Sequence, residues 1–499
     1  MKDNGSAMKT AVMESFEVTR GAPCGDLLTQ PCRERRLVVG LLGCGYFEYW
    51  RMYPGLEEKT VADLKGVADA LSRHFEVVYS GYVDTLDKAD AAGRLFRDRH
   101  VDVLIVTEGT YAPDYFVHQV LTHLPESIPL CVFAYQPRDR VAGLDGYDEA
   151  LRSSGLMGLV QLTGGFRKMG KYRRYEAVVG PLDRQSIAEL ERFVQVRQTI
   201  ANLRTSTYGI IGHVFRGMFD FHFDKTAVTG VLGPQIIDIE IRHLLALLEE
   251  TSEKDPRVGQ LIKKVYASYQ VEGVDEIDVR RSARLAVALQ DLVRNYKLNG
   301  LVVLAQHLIE LQANATTHLG LTEIISNDLA EAVTEGDVLG CIMSKVLKDF
   351  TGHTAFYGEF EELDLPHNAI MLLGHGFIDP REARKDRPVK VGPACEAWGF
   401  EGHSLGFEAT YPPGPVSMTH VIQDDQGWRL LVSAGEILDL PPIPIHETSL
   451  VVRVDKPVRE YLREVIMHGF AHHVITAPGS VTGHLEMFGR QLGMTVCRI

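Results

Sequence analysis

The sequence predicts an α/β protein with two open, mainly parallel α/β (Rossmann-like) domains, followed by a C-terminal β-rich domain with a barrel-like sheet. Short apolar runs alternate with helical patterns through roughly the first two thirds of the chain, which is typical of parallel sheets covered by helices. After about residue 350, strand-like segments follow one another with turn clusters between them. The length of 499 residues exceeds the usual size of one hydrophobic core, so several domains are expected.

The first part of the chain is predicted to contain an arm and a domain. Residues 1–35 show little hydrophobic periodicity, and we expect a loosely held N-terminal arm there. The N-terminal α/β domain then covers 36–180. Its predicted strands are 36–42, 76–79, 101–106 and 130–134, and its predicted helices are 57–74, 87–99 and 114–124. The loops 43–46 and 107–111 are expected to line one crevice, because the carboxyl ends of parallel strands meet at one edge of a sheet.

The second α/β domain, 181–345, is predicted to begin with a long amphipathic helix over 183–204. Strands are expected at 208–212, 235–239 and 300–305, with helices at 239–250, 257–269, 278–296 and 321–333. The last of these helices would lead directly to Glu335. In the C-terminal domain, 346–499, the predicted strands are 354–361, 369–374, 405–411, 416–423, 428–433 and 448–454.

Composition and charge exclude several classes of protein. The net charge of −14 argues against nucleic acid as a partner, since such binding needs clustered lysines and arginines. We find no apolar run of about 18 residues and no apolar core of a secretory signal, so neither a membrane partner nor export is expected. The seven cysteines form no CxxC pair and favour reduced thiols in the cytoplasm. The basic stretch 165–174 is a candidate contact between subunits.

The glycine loop after the first strand does not predict a nucleotide cofactor. Gly43 and Gly45 match the start of a dinucleotide-binding motif, but Glu48 occupies the place of its third glycine. These glycines fit a tight turn equally well. A nicotinamide-dependent oxidoreductase is therefore the least favoured function.

The residues that could carry chemistry cluster between Glu335 and Gly376, with a histidine pair near the C-terminus. Glu335 lies in Thr-Glu-Gly-Asp before an apolar helical run, Glu359 lies in a strand pattern, and His375 stands between two glycines. Singly, each has an ordinary structural explanation: Thr334 and Asp337 have the chemistry of a helix start, Glu359 fits a solvated strand face, and His375 fits a buried hydrogen-bonded histidine.

The combination is more informative than its members. Two carboxylates with His375 and one of the pair His472-His473 provide a ligand set that suits Mn²⁺ or a similar divalent metal. A strand pair about the turn 364–368 would bring Glu359 close to His375. Adjacent histidines point differently on a regular element, so we expect only one of the pair to face the site.

At this point the sequence resembles the L-arabinose isomerases and, more loosely, the wider arabinose/fucose isomerase superfamily. The resemblance follows the order of the motifs: Glu-Gly-Asp, a helix, the family's Thr-x-Phe-x-Glu with one residue more in this chain, a strand ending in Gly-His, and a late His-His. It implies that Glu335, Glu359, His375 and His473 bind a divalent metal, Mn²⁺ in the first place with Mg²⁺ or Co²⁺ as alternatives. Glu361 remains an alternative to Glu359, because a gap falls near Gly358.

The resemblance also implies an activity and an assembly. The activity is an aldose–ketose isomerisation by enediol proton transfer, with Glu335 and Glu359 as the catalytic acid/base pair and a small-molecule sugar as substrate. The assembly is a homo-oligomer, a trimer or a hexamer. The sequence departs from the family near Cys44 and near Thr163, where sugar-contacting residues of the family are missing, so the sugar itself stays open.

Two other functions remain open from the sequence. A metal-dependent epimerase, or a related proton-transfer enzyme acting on a modified sugar, would use the same residues with different sugar-contacting residues around them. A non-catalytic sugar-binding protein could be built from two α/β domains, although the additional β-rich domain counts against it.

Overall fold

The computed structural model describes residues 36–499 except 142, 145, 305–307, 396–401 and 444. The predicted N-terminal arm, 1–35, lies outside the described residues. The described chain forms two compact units, 36–201 and 202–499. The predicted class is confirmed, since the structure contains two parallel sheets and a closed β-barrel near the C-terminus. The domain boundaries after 180 and 345 stay predictions.

The N-terminal unit contains a five-stranded parallel sheet in the order β2-β1-β3-β4-β5. Its strands are β1 Val38–Cys44, β2 Glu76–Val83, β3 Val103–Glu108, β4 Leu130–Tyr135 and β5 Tyr175–Gly180. Its helices are α1 Phe47–Met52, α2 Leu56–Leu71, α3 Leu86–Asp98, α4 Tyr115–Leu121, α5 Tyr147–Leu151 and α6 Gly155–Met169. The helix α7, Arg184–Arg204, leads into the second unit. Strand β3 is buried along its whole length, as expected for a central parallel strand.

Helix α6 was not among the predicted helices, and it corrects one interpretation. Thr163, expected in a substrate-lining loop, lies inside this helix, where its hydroxyl donates to the Leu159 carbonyl over 3.0 Å. Gly155, Gly158, Gly164 and Gly165 weaken the helical signal of the segment, because glycine has a low helix propensity. Burial of Leu159, Leu162 and Phe166 stabilises the helix nonetheless.

The second unit begins with a four-stranded parallel sheet in the order β10-β9-β6-β7. The strands are β6 Thr207–Ile211, β7 Gln235–Ile239, β9 Gly300–Val303 and β10 Glu331–Thr334; a two-residue strand, β8 Gln270–Val271, belongs to a separate small sheet. The helices around them are α8 Lys225–Val231, α9 Ile241–Glu250, α10 Pro256–Ser268, α11 Glu276–Tyr296, α12 Leu308–Ala313, α13 His318–Ser326 and α14 Val338–Thr351.

The predicted helix over 321–333 is wrong in its second half. The helix α13 ends at Ser326, and Asp328 adopts a left-handed conformation with φ of 52°. Residues 331–334 then form β10, which is buried at every position and pairs with β9. Burial in the sheet therefore overrides the helical spacing of these apolar residues.

The C-terminal part forms a closed six-stranded barrel in the order β15-β18-β11-β12-β17-β16, closed by pairing of β16 with β15. Its strands are β11 Phe356–Asp364, β12 Ala369–Gly374, β15 Gly414–Asp424, β16 Gly427–Ile437, β17 Ser449–Arg453 and β18 His473–Pro478. A small three-stranded sheet has the order β14-β13-β8, in which β13 Lys390–Gly392 pairs with both β14 Gly406–Glu408 and β8. Strand β19 Thr495–Arg498 extends the barrel sheet beside β16. Helices α15 Val458–His468 and α16 Thr482–Leu492 flank β18.

Alternation of side chains in the barrel strands explains why this segment closes. Val416, Met418, Leu431, Leu450 and Val452 point into one apolar core. In the hairpin of β11 and β12, the Asn368 side chain donates to the Val454 carbonyl over 2.8 Å and so fixes the turn predicted at 364–368. Among the described residues, no helix combines the length and the apolar character that crossing a bilayer requires.

Candidate metal centre

Glu335 lies in a tight turn between β10 and α14, at the carboxyl edge of the second parallel sheet. Its φ is 63° and that of Gly336 is 85°, a left-handed pair that is uncommon for glutamate. A Cβ on Gly336 would lie 2.5 Å from the Val214 Cα, so only glycine fits there. The Phe215 amide donates to the Glu335 carbonyl over 3.0 Å. The turn is thus held firmly against the loop that follows β6.

The helix start after this turn differs from the prediction. Asp337, expected in the first turn, is the capping residue of α14, and its carboxylate accepts a hydrogen bond from the Gly340 amide over 2.7 Å. Thr334, expected at the cap, ends β10 instead, and its hydroxyl donates to the Val303 carbonyl over 3.1 Å. Pairing of 331–334 in the sheet keeps Thr334 extended and moves the helix start to Asp337.

Three neighbouring barrel strands present the other predicted residues. Glu359 on β11 pairs in register with His473, the first residue of β18, while His375 directly follows β12. The predicted strand pair between Glu359 and His375 is therefore confirmed. Glu361, the alternative to Glu359, is exposed and belongs to neither group of potential ligands in the described chain.

The predicted carboxylates and imidazoles converge on His473. The Nε2 atoms of His375 and His473 lie 2.9 Å apart, and the His473 Nε2 lies 3.5 Å from the Glu335 Oε2. Two overlapping groups result, Glu335 with His472 and His473, and Glu359 with His375 and His473. In each group, one potential ligand atom per residue lies within 4.8 Å of the others. His473 links both groups.

This arrangement fits a divalent metal chemically. Burial lowers the pKa of His473 to about 4, and burial together with the neighbouring His473 holds the pKa of His375 well below its ordinary range. Both rings are therefore neutral near pH 7, which is the form of imidazole that binds a metal. Two neutral imidazole nitrogens with carboxylate oxygens nearby suit Mn²⁺ and related divalent ions.

A buried carboxylate orients the central imidazole. The Asp337 Oδ2 lies 3.4 Å from the His473 Nδ1 and 3.1 Å from the His420 Nε2, while the Tyr357 hydroxyl lies 2.5 Å from the same Nδ1. Burial alone would raise the pKa of Asp337, but its contacts with His420 and His473 hold that pKa below its ordinary range. When Nδ1 of His473 carries the proton toward these oxygens, its Nε2 lone pair is free to bind a metal.

The expectation that only one histidine of the pair faces the site is wrong. His472 precedes β18, so the alternation of a strand does not apply to it. Its Nδ1 lies 2.6 Å from an Asp220 oxygen, and its ring and that of His473 both pack against Phe221, at centroid distances of 4.6 and 4.7 Å. Both imidazoles therefore border Glu335 in one group.

Sequence reasoning missed four residues that shape this centre: Asp220, Phe221, Tyr357 and His420. Tyr357 stands inside a motif already singled out, and its place two residues before Glu359 was the available signal. Asp220, Phe221 and His420 carry no such signal, because they reach the centre from distant segments.

Comparison with known proteins places sugar isomerases among the similar sequences. The chain is similar to the sulfoquinovose isomerase of Alkalicoccus urumqiensis, with 22% identity over 408 residues that cover 80% of this chain and 86% of that protein. Sulfoquinovose isomerases of Priestia aryabhattai and Priestia megaterium are 21% identical over 454 residues, 88% of this chain and 93% of theirs. No protein-family model matches the chain. These similarities support a sugar isomerase.

Proposed function

We propose that the protein is a divalent-metal-dependent aldose–ketose isomerase whose substrate is sulfoquinovose, a glucose in which a sulfonate replaces the hydroxyl on C6. The two overlapping groups of potential ligands, Glu335 with His472 and His473 and Glu359 with His375 and His473, carry the proposal. The similarity to three proteins named sulfoquinovose isomerase supports both the reaction and the sugar. The membership in the arabinose/fucose isomerase superfamily, suggested by the motif order, is part of the same proposal.

Glu335, Glu359, His375 and His473 would hold the metal, most simply Mn²⁺. When bound, such an ion polarises the sugar oxygens on C1 and C2 and stabilises the negative charge that develops there. The neutral state of His375 and His473 keeps their nitrogens available as ligands near pH 7. Asp337 and the Tyr357 hydroxyl hold the His473 ring in one orientation.

The two glutamates supply the proton transfer. An aldose becomes a ketose when a base removes the proton on C2, a proton is delivered to C1, and a proton moves from the C2 hydroxyl to the C1 oxygen. One of Glu335 and Glu359 acts on the carbons and the other on the oxygens. Two carboxylates beside one cation would titrate as a pair, so a pH profile of the reaction would report the pair rather than either residue.

Turnover of sulfoquinovose in D₂O tests the reaction directly. We expect a ketose that carries deuterium at C1 only, loss of activity on chelation, and recovery on addition of Mn²⁺, with Co²⁺ and Mg²⁺ compared in parallel. Deuterium incorporation without a ketose would identify an epimerase instead. Binding of the sugar without any turnover would identify a non-catalytic sugar-binding protein.

A pair of variants on one strand tests the carboxylate. Glu359→Gln should lower kcat by about a thousandfold, the size expected for loss of a charged catalytic group. Glu362→Gln is the control, since Glu362 lies on the same strand with an exposed side chain. Activity of the folded, metal-loaded Glu359→Gln protein within tenfold of wild type would contradict the assignment.

Place and assembly complete the proposal. We propose a cytoplasmic homo-oligomer, a trimer or a hexamer, because the motif order resembles that of oligomeric isomerases. Analytical ultracentrifugation of the purified protein measures the assembly, and a monomer at micromolar concentration would contradict it.

A further inference from the structure

A basic cavity adjoins the candidate metal centre within the second unit. It has a volume of about 550 Å³ and lies at the carboxyl ends of β6 and β7. The loop after β6, together with α8 and β7, contributes its charged lining: His213, Arg216, His222, Lys225 and Asp238. Two permanent cations and two imidazoles thus face one carboxylate, in a protein whose net charge is −14. The net charge of the cavity lining is therefore positive, whereas that of the whole molecule is negative.

Arg216 differs from three arginines of the same unit that carboxylates neutralise. Arg257, Arg381 and Arg384 each contact two carboxylates. Arg216 is exposed and has no ion pair or hydrogen bond of its side chain among the residues that the structure describes. The second cation, Lys225, is paired with Asp238, so the unneutralised permanent charge of the cavity belongs to Arg216.

The loop that carries Arg216 also builds the metal centre. The amide of Phe215, the preceding residue, donates to the Glu335 carbonyl over 3.0 Å. At the other end of the loop, Asp220 contacts the His472 ring and Phe221 packs against His473. One loop thus joins the metal centre to a guanidinium that has no partner among the described residues.

We propose that Arg216 binds the anionic group on C6 of the substrate and so selects a sulfonated sugar. This inference rests on the proposed function. A guanidinium offers parallel N–H donors that match two oxygens of a sulfonate, and both groups keep their charges at any physiological pH. Lys225, held by Asp238, adds to the positive potential without competing for the same oxygens.

Equilibrium dialysis with radiolabelled sugars tests the inference, because it measures bound sugar whether or not the sugar is isomerised. The metal-loaded wild type is compared with Arg216→Met, Arg216→Lys and the control Arg459→Met. Arg459 is also exposed and lacks an ion pair among the described residues, but it lies on α15, outside the cavity lining. The ligands are sulfoquinovose, its neutral 6-deoxy analogue quinovose, and glucose 6-phosphate.

We expect Arg216→Met to weaken the binding of sulfoquinovose at least tenfold and that of quinovose less than twofold. Arg216→Lys should lie between, since it keeps the charge and loses the parallel donors. In turnover measurements, Arg216→Met should raise KM for sulfoquinovose and leave kcat unchanged. Arg459→Met should bind both sugars as the wild type does.

Three results would overturn the inference: equal losses for both sugars, sulfoquinovose binding within threefold of wild type, or tighter wild-type binding of glucose 6-phosphate than of sulfoquinovose. The proposed function fails separately. If no ketose forms from sulfoquinovose while Arg216→Met still loses sulfonate-selective binding, the inference stands and the isomerase assignment falls. If the ketose forms and Arg216→Met binds normally, the reverse holds.

Discussion

Each of the two parallel sheets places a buried glutamate at the carboxyl end of a strand, but the two glutamates have different surroundings. Glu108 ends β3 in the N-terminal unit and is 1% exposed; Glu335 follows β10 and is 5% exposed. Glu108 accepts one hydrogen bond, from the Ala112 amide over 3.0 Å, and its Oε1 has no partner among the described residues. Glu335 lies beside His472 and His473.

The surroundings decide what each carboxylate can do. Burial raises the pKa of Glu108 well above its ordinary range, and the charge of Asp114 adds to the effect, so a neutral carboxyl is favoured. Helix α6 covers it closely: a Cβ on Gly158 would lie 1.8 Å from the Glu108 Oε2. Glu108 and Glu335 are thus both buried at the end of a strand. Only Glu335 has imidazoles beside it, and these make its surroundings a candidate ligand site.

The largest difference between Glu335 and Glu108 should appear in their contributions to catalytic activity. Glu335→Gln keeps the shape of the side chain and removes its charge, so we expect kcat/KM on the substrate to fall about a thousandfold, equivalent to about 4 kcal/mol. The melting temperature of the metal-free protein should change by only a few degrees. If the variant instead lost stability and kept its activity, Glu335 would be a structural carboxyl like Glu108.

Asp337 should matter next, because it orients the imidazoles that distinguish Glu335. Asp337→Asn retains the cap of α14 but loses the charge beside His420 and His473, and we expect metal affinity to fall about 10- to 100-fold. Competition with a chromophoric chelator measures this affinity. Asp275→Asn is the control, since Asp275 caps α11 through the Ile277 amide. Equal metal affinities in both variants would contradict the orienting role.

The close packing of α6 on Glu108 gives the third prediction. Gly158→Ala forces α6 away from the carboxyl, and we expect a loss of about 1–3 kcal/mol in the stability of the N-terminal unit. Gly164→Ala lies in the same helix with nothing within 4 Å of the new Cβ, so it should gain up to about 1 kcal/mol. Hydrogen exchange of the β3 amides resolves this unit. Similar effects of both changes would show that the helix is not closely packed on Glu108.

The smallest effect concerns pH. The folded pKa of Glu108 is raised above the ordinary 4.5, so above that pH the folded state binds more protons than the unfolded state and stability falls as pH rises. Glu108→Gln removes this loss, by at most about 1.4 kcal/mol per pH unit. The melting temperature of Glu108→Gln should therefore rise relative to that of the wild type as the pH increases from 5 to 7. The control is Glu58→Gln, at an exposed position, whose melting temperature should change with pH as that of the wild type does. The same pH dependence in Glu108→Gln and wild type would contradict the raised pKa of Glu108.

The comparison also shows what the sequence could predict. Apolar periodicity predicted the two parallel sheets. The combination of residue types, together with the family resemblance, singled out Glu335, Glu359, His375 and the histidine pair. The four residues of β10 were mistaken for helix, since a short apolar run has no period of its own and only the pairing with β9 decides its conformation.

The partners of the imidazoles could not be predicted for a related reason. Asp220 meets His472 across 252 positions of the chain, and His420 meets Asp337 across 83. Such contacts depend on how the barrel closes against the parallel sheet, and no local pattern of residues encodes that. Glu108 was expected only as part of the crevice loop 107–111; its burial could not be predicted, because it results from the approach of α6.

The closed barrel has a consequence for the order of events during folding. His473, which both groups of potential ligands share, begins β18, and β18 is inserted between β15 and β11, whose residues are synthesised earlier. Pairing of Glu359 with His473 spans more than a hundred residues, so loop-closure entropy delays it relative to the local hairpin of β11 and β12. A growing polypeptide would thus carry both glutamates and His375 while still unable to assemble the complete ligand set. Tight capture of an ion would then coincide with completion of the barrel.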